Sequence, residues 1–314
     1  MELLYIGSRG GMEKKMIEKI EGISYKDVLC GKLRRYFSLK NFVDFFRVPL
    51  GILQARQILR EFKPDVVFSK GGYVSFPVVF SARALKIPVI LHESDLNIGL
   101  ANKLCMKWAN KVLLSFEETD AEGEFVGALV REEILTGDRR AGLRFLKFND
   151  YKPIVLIMGG SQGAEQINGL VRASLDELLK KFQIVHLVGR GNLDISVKHS
   201  GYAQFEYLDE EMADVYAASD LVISRGGANS LFELALLKKN AVIIPLSLEA
   251  SRGDQIDNAK VFIDKYKWSM LSGKISREDF IEAIEEANSK KRDNIPELKN
   301  GLKKIVDLIL NFKK

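Results

Sequence analysis

Short, wholly apolar runs alternate along this chain with stretches in which apolar residues recur every three or four positions. Ile154–Met158 is the clearest run, five apolar residues in a row, which predicts a parallel strand buried on both faces. From Ala164 the period turns helical, with Ile167, Leu170, Val171, Leu175, Leu178 and Leu179 on one face. The same rhythm predicts strands at 3–6, 65–69, 89–92, 111–114, 184–188, 221–224, 241–245 and 268–271. Helices are predicted at 12–20, 54–62, 99–108, 212–218 and 231–237. Pro296 is expected to start a last helix carrying Leu298, Leu302, Ile305, Val306 and Ile309 on one side.

Strands alternating with helices imply an α/β fold with parallel sheets, whose ligands lie at the carboxyl ends of the strands. Gly72, His92, Glu93 and Asp95 fall on that rim. Three glycine turns stand where a strand passes into a helix: 70–75, 159–163 and 225–230. Gly159, Gly160 and Gly163 allow a tight turn and a close approach to backbone, and the helix start behind them suits a phosphate. The pattern is neither G-x-G-x-x-G nor a P-loop. A plain connection between strand and helix is the other reading of any one such turn. Three of them fit better with two doubly wound, Rossmann-like domains facing each other across a cleft.

The 314 residues suit two such domains. The segment 127–131 reads as the exit from the first, and the polar stretch 136–152 as the lead into the second. We therefore expect a first domain at 1–130, a second at 131–295, and a terminal helix at 296–314 that packs back on the first. Hydrophobic content is 46% and charged content 28%, which excludes a disordered chain. The net charge of +5 is too mild for a duplex-DNA binder and suits anionic substrates or an anionic membrane surface. Cys30 and Cys105 form neither a metal pattern nor a disulfide framework, so a reducing cytoplasm is expected. No apolar run reaches transmembrane length and no signal peptide precedes the first strand. Between Lys32 and Arg47, basic residues interleave with Tyr36, Phe37, Leu39, Phe42, Phe45 and Phe46. Such a surface can lie in a bilayer interface. Spacings of three and four are equally those of core residues.

Gly71-Gly72-Tyr73-Val74-Ser75, His92-Glu93, Gly159-Gly160-Ser161-Gln162-Gly163-Ala164, Tyr216-Ala217-Ala218-Ser219-Asp220 and Asp254-Gln255 with Asn258-Ala259 occur in this order over nearly the whole chain. Together they resemble the MurG family of peptidoglycan N-acetylglucosaminyltransferases, within glycosyltransferase family 28. The resemblance implies a GT-B fold and inverting transfer of N-acetylglucosamine from UDP-N-acetylglucosamine to undecaprenyl-linked lipid I. It implies a peripheral enzyme at the cytoplasmic face of the plasma membrane, with no metal, no cofactor and no nucleic-acid partner. Carried over by residue, Ser161 with the turn Gly160, Gln162 and Gly163 would face the donor pyrophosphate, with Arg131 nearby. Ala228, Asn229, Ser230 and Glu233 would hold the nucleoside, Glu233 accepting from the ribose. Gln255 would bind the donor sugar and the region of Leu208 the uracil. Asp95 stands where the family usually has asparagine, and can accept from a sugar hydroxyl but not donate as an amide. Gly72, Tyr73, His92 and Glu93 would lie on the acceptor side.

Each assignment has a plainer counterpart. Glu233 can be a solvated helix residue, Arg131 a surface ion-pair residue, and His92 a buried, hydrogen-bonded histidine. The departure from the family is at the start. Its first strand, the loop ending in Gly-Gly-His and the following helix have no match, and Met1 aligns near the second strand. The first domain is therefore expected to be incomplete, with two strands facing an empty slot, and without the family's candidate base. Two alternatives follow: a nucleotide-sugar-binding module inactive alone or completed by a separate chain, and a related transferase acting on another lipid.

Overall fold

The structure, a computed structural model, describes residues 1–11, 13–31, 39–160, 163–247, 253–290 and 295–312, with backbone alone for 39–46. It divides into two compact units: residues 1–126 with 303–314, and residues 127–302.

The first unit runs β1 (Leu3–Ser8), α1 (Glu13–Ile17), β2 (Ile23–Val28), α2 (Leu39–Phe62), β3 (Val67–Ser69), α3 (Ser75–Ala84), β4 (Val89–Glu93), α4 (Leu100–Cys105), β5 (Lys111–Leu114) and β6 (Glu124–Phe125). All its strand pairs are parallel. Among the described residues they form two separate sheets, β1-β2 and β3-β4-β5-β6. The two sheets share a core without sharing hydrogen bonds. Ile6 of β1 and Val67 of β3 pack on the same cluster, built on Val28, Leu59, Val79, Val89 and Leu91. Among the described residues no strand joins the two sheets.

Helix α2 is much longer than the predicted 54–62 and runs through Pro49. Proline normally stops a helix by removing an N–H. Here tertiary packing carries the helix past it. Gly51 lies so close to the Leu29 carbonyl that any side chain would collide, and Gln54 Oε1 accepts from the Leu29 N–H at 2.8 Å. Of the segment between Lys32 and Arg47, residues 32–38 lie outside the described residues. The predicted helix 99–108 is instead α4 followed by a 3-10 turn, Met106–Trp108.

The second unit continues with α5 (Arg139–Leu146), β7 (Ile154–Met158), α6 (Glu165–Lys181), β8 (Gln183–Leu187), β9 (Tyr202–Phe205), α7 (Met212–Ala218), β10 (Leu221–Ser224), α8 (Ala228–Leu236), β11 (Asn240–Ile243), α9 (Asp254–Tyr266), β12 (Ser269–Met270) and α10 (Arg277–Ser289). Its six strands form one parallel sheet in the order β12-β11-β10-β7-β8-β9. The chain lays β7, β8 and β9 outward in one direction, then returns to place β10, β11 and β12 on the other side of β7. The switch point of this doubly wound sheet thus lies between β7 and β10. Val155 and Ile157 of β7, Ile223 of β10 and Val242 of β11 form one core with Ile167, Val171 and Leu175 of α6 and Phe280 and Ile284 of α10.

The stretch 136–152 is not the linker its polarity suggested. It holds α5, whose N-terminus is capped by Asp138 accepting from the Ala141 N–H at 2.6 Å. Only Gly142 and Leu146 of α5 are buried, too few to declare a helix by pattern. The last helix, α11 (Leu302–Leu310), begins later than Pro296. Residues 295–301 before it are not helical, and Asn300 pairs there with backbone: its Nδ2 donates to the Val130 carbonyl at 2.6 Å, and a bridge joins Ala128 to Asn300.

Candidate functional site

At the switch point, Met158 and Ser224 are register partners. The next residues, Gly159 and Arg225, therefore leave the sheet side by side, each leading into a glycine turn. In the first, Gly160 and Gly163 have φ of +89° and +77°, the left-handed region where glycine is unstrained. The Gly163 N–H donates to the Gly160 carbonyl at 2.8 Å, closing the turn. A side chain on Gly163 would collide with the Val188 carbonyl. In the second, a side chain on Gly226 would collide with the Gln255 carbonyl, so the start of α9 is held against the end of β10.

Among the described residues no side chain caps α6, preceded by Ala164, or α8, preceded by Gly227. In contrast α5 and α10 are capped, the latter by a full capping box of Ser276 and Asp279. Uncapped helix starts keep first-turn N–H groups and the positive end of the helix dipole available to a ligand. Two of them flank the switch point. Ser161 and Gln162 lie outside the described residues, so this phosphate turn rests here on Gly159, Gly160 and Gly163.

Ala228 is buried as the first residue of α8, while Asn229 is exposed and Ser230 half-buried beside it. Glu233 follows on the next turn. Its Oε2 accepts from the hydroxyl of buried Tyr216 at 3.0 Å. Burial raises the Glu233 carboxyl above its ordinary range, against the lowering effects of that hydrogen bond and of the Arg131 charge. Arg131 is thus electrostatically coupled to Glu233. It also forms an exposed pair with Asp209 at 3.6 Å, next to Leu208, which is buried. Gln255 Oε1 accepts from the Leu246 N–H at 3.1 Å. That contact orients the amide, its oxygen toward the Leu246 N–H. Arg131, Leu208, Ala228, Asn229, Ser230, Glu233 and Gln255 all belong to the second unit.

Asp95, expected with the donor, belongs to the first unit. It sits in the loop after β4. His92 and Glu93 are buried and hydrogen-bonded within that loop. The His92 ring is fully buried, paired with Ser115 Oγ at 3.0 Å and Ser94 Oγ at 3.4 Å, and burial pushes its pKa down to about 3. The Glu93 carboxylate accepts from the backbone of Ser94, Asp95 and Gly99 and from Asn102 Nδ2. Gly71 and Gly72 both take positive φ, and Ser75 Oγ donates to the Gly71 carbonyl at 2.6 Å. This leaves Tyr73 38% exposed at the carboxyl end of β3. Of the expected acceptor-side residues, Gly72 and Tyr73 have accessible surface, whereas His92 and Glu93 shape the loop beside them.

Two residues that the sequence offered only as parts of a motif and a turn make contacts of their own here. Tyr216 was masked by its own burial, since an aromatic on an apolar face reads as core. Arg225 had a visible signal, a cation between a buried strand and Gly226-Gly227. Among the described residues no group of three His, Cys, Asp or Glu side chains is placed to hold a metal.

The comparisons extend over both units. The N-terminal domain of glycosyltransferase family 28 matches residues 1–114, and the C-terminal domain of the same family matches residues 154–311. A Staphylococcus carnosus protein named UDP-N-acetylglucosamine--N-acetylmuramyl-(pentapeptide) pyrophosphoryl-undecaprenol N-acetylglucosamine transferase is 46% identical over 299 residues, 93% of this chain and 83% of the relative. A Clostridium tetani protein of the same name is 46% identical over 324 residues, 99% of this chain and 90% of the relative. The crystal structure of Acinetobacter baumannii MurG superposes with a TM-score of 0.70 at 24% identity, covering 98% of this chain and 91% of that one. The parallel α/β architecture is accordingly that of the GT-B glycosyltransferases. With the family's two domains matched in order and relatives at 46% identity over most of the chain, the chain belongs to glycosyltransferase family 28.

Proposed function

We propose that this chain transfers N-acetylglucosamine from UDP-N-acetylglucosamine to the 4-hydroxyl of the muramoyl sugar of undecaprenyl-linked lipid I, with inversion, in peptidoglycan synthesis. The observation that carries the donor half is the switch point of the second unit, where two uncapped helix starts stand behind glycine turns with Glu233 one turn further on. The names of the relatives at 46% identity support the choice of sugar and acceptor.

In this reading the amides at the starts of α6 and α8 receive the donor diphosphate. Glu233, oriented by Tyr216, accepts from the ribose hydroxyls. Gln255 donates its amide to the donor sugar, and the backbone near Leu208 meets the uracil. The acceptor oxygen forms a bond to the anomeric carbon as the bond to the β-phosphate oxygen breaks. The electron pair leaves with UDP, and the acceptor proton passes to a base. Helix-start amides and Arg131 offset the charge that grows on the leaving UDP. Such preorganised donors are worth roughly 3–4 kcal/mol each in comparable sites.

The enzyme works at a membrane surface in this reading, because its acceptor is a lipid. The basic, aromatic segment between Lys32 and Arg47 overlaps the start of α2, on which Leu50 and Leu53 are 51% and 62% exposed. Among the described residues no helix is long and apolar enough to cross a membrane. Anionic vesicles at low salt should sediment the protein. Failure to do so removes the membrane contact.

The deciding assay supplies labelled UDP-N-acetylglucosamine with lipid I or with a diacylglycerol. Transfer to lipid I is the expected result, and transfer to the diacylglycerol alone would overturn the acceptor. A second reading is favoured by the separate sheets of the first unit: a donor-binding module inactive alone or completed by a separate chain. UDP binding with transfer to neither acceptor would select it.

A further inference from the structure

We propose that the connection between β8 and β9 carries a lipid contact on the second unit: Leu193 and Ile195 enter the bilayer interface while Arg190 and Lys198 meet anionic headgroups. The proposal takes from the reading above only that the enzyme meets a membrane. It uses none of the first-unit residues assigned there.

Parallel strands are usually joined by a crossover helix. Residues 188–201, between β8 and β9, form none. The connection is nonetheless fixed. The Gln204 amide grips the backbone of Asp194 twice, Nε2 donating to the carbonyl and Oε1 accepting from the N–H at 3.1 Å. Arg172 Nη2 donates to the Asn192 carbonyl at 2.6 Å, and the Gly191 N–H donates to Glu206 Oε1 at 2.6 Å. Val197 packs on the core of the sheet.

This tied loop leaves Leu193 46% and Ile195 83% exposed. No other described leucine, isoleucine or valine is as bare as Ile195. One exposed apolar side chain is ordinary. Here two stand two positions apart on backbone held at 191, 192 and 194, so neither can fold back onto the core.

The charges are sorted as an anionic surface requires. Arg190 and Lys198 are exposed on either side of the pair in sequence. The carboxylates are turned onto the loop itself. Asp194 Oδ1 accepts from the Ser196 N–H at 3.1 Å and from the Ser196 hydroxyl, and Glu206 serves Gly191. The Ser196 bonds, and then the Arg172 charge, hold the Asp194 carboxyl below its ordinary range. A protein partner needs roughly 800 Å² of surface, far more than two side chains at a loop tip offer. A bilayer interface takes an apolar pair with cationic neighbours and needs no matching groove.

The test uses vesicles of phosphatidylglycerol and phosphatidylcholine and the whole chain. Co-sedimentation compares the parent with the double variants L193S/I195S and R190Q/K198Q. The first should bind about 10- to 30-fold more weakly, the weight of two apolar side chains left in water. The second should lose about fivefold per charge at low salt, a difference that shrinks as salt is raised. All four side chains are exposed, so melting temperature and UDP affinity should match the parent. In a C30S background, a bimane label on I195C should shift to the blue when vesicles are added. Unchanged vesicle affinity in L193S/I195S with an unshifted label, while the parent still sediments, would overturn the loop contact and leave that of the first unit standing. A parent that does not sediment would overturn both. A blue shift that grows with protein concentration and without vesicles, alongside a dimer in the ultracentrifuge, would assign the tip to a second copy of the chain and overturn the lipid contact.

Discussion

The hydroxyl of Tyr216 donates to Oε2 of Glu233 across 3.0 Å and lies 3.4 Å from the sulfur of Met158. One fully buried side chain of α7 thereby ties the end of β7 to the carboxylate of α8. Removing that hydroxyl withdraws one of the two influences that lower the Glu233 pKa and leaves burial to raise it. Y216F should therefore weaken both UDP and uridine about 3- to 10-fold near neutral pH, the value of one lost hydrogen bond. The pH below which uridine binding fades should move upward. Calorimetry across a pH series measures both. Unchanged pH dependence would mean that Glu233 does not touch the ribose.

The same carboxylate makes a stability prediction of opposite sign. Its folded pKa is raised from 4.5, so the folded state holds the proton more tightly than the unfolded state. Stability then falls as pH rises from 4.5 through the folded value. E233Q cannot ionise, and its amide oxygen still accepts from Tyr216. The unliganded variant should melt at a higher temperature than the parent above that window and equally below it, while binding UDP more weakly. Thermal melts at the two ends of the range check this. A variant less stable at neutral pH would contradict it.

Gly226 makes a different kind of contact, backbone against backbone. A methyl there would strike the Gln255 carbonyl, which belongs to α9 and cannot rotate aside. G226A should cost about 1–3 kcal/mol by overpacking. It should also displace the start of α9, and with it the Gln255 amide. Urea unfolding gives the first quantity. The ratio of UDP-N-acetylglucosamine to UDP affinity gives the second, since only the sugar nucleotide reaches Gln255 in the proposed pose.

In the first unit the weight falls on Glu93, which satisfies three backbone N–H groups and the Asn102 amide at once. E93A leaves those donors without a partner in a nearly closed site. A loss of about 2–4 kcal/mol is expected from several charge-assisted bonds. Transfer activity should fall as the loop carrying Asp95 loosens, whereas UDP affinity, a property of the second unit, should hold. Hydrogen exchange at residues 94–99 with parallel calorimetry reads both. A matching fall in UDP affinity would argue against that separation.

Much of the second unit was legible in the order of residues. Met212–Ala218 and Leu221–Ser224 fall where their patterns put them, and the run Ile154–Met158 is a strand buried as its composition required. Such elements announce themselves because burial on one face or both leaves a period in the chain. Elements with little buried surface leave none. Helix α5 buries two residues, and β9 is an edge strand buried only in part, so neither stood out. Helix α8 begins at Ala228, before its apolar stripe, because Gly227 turns the chain into it.

By itself the sequence determined the alternation of strand and helix, the glycine corners and the family. These depend on neighbours a few positions apart, or on motifs read in order. Tertiary structure alone decided that β10 lies against β7, which brings Arg225 to Gly159 and Tyr216 to Glu233 across 66 and 17 positions. It also decided that His92 is shut inside its loop, and that α2 runs through a proline. The reason is physical. A side chain's period records how much of it is buried, whereas its partner is chosen by packing of segments remote in the chain.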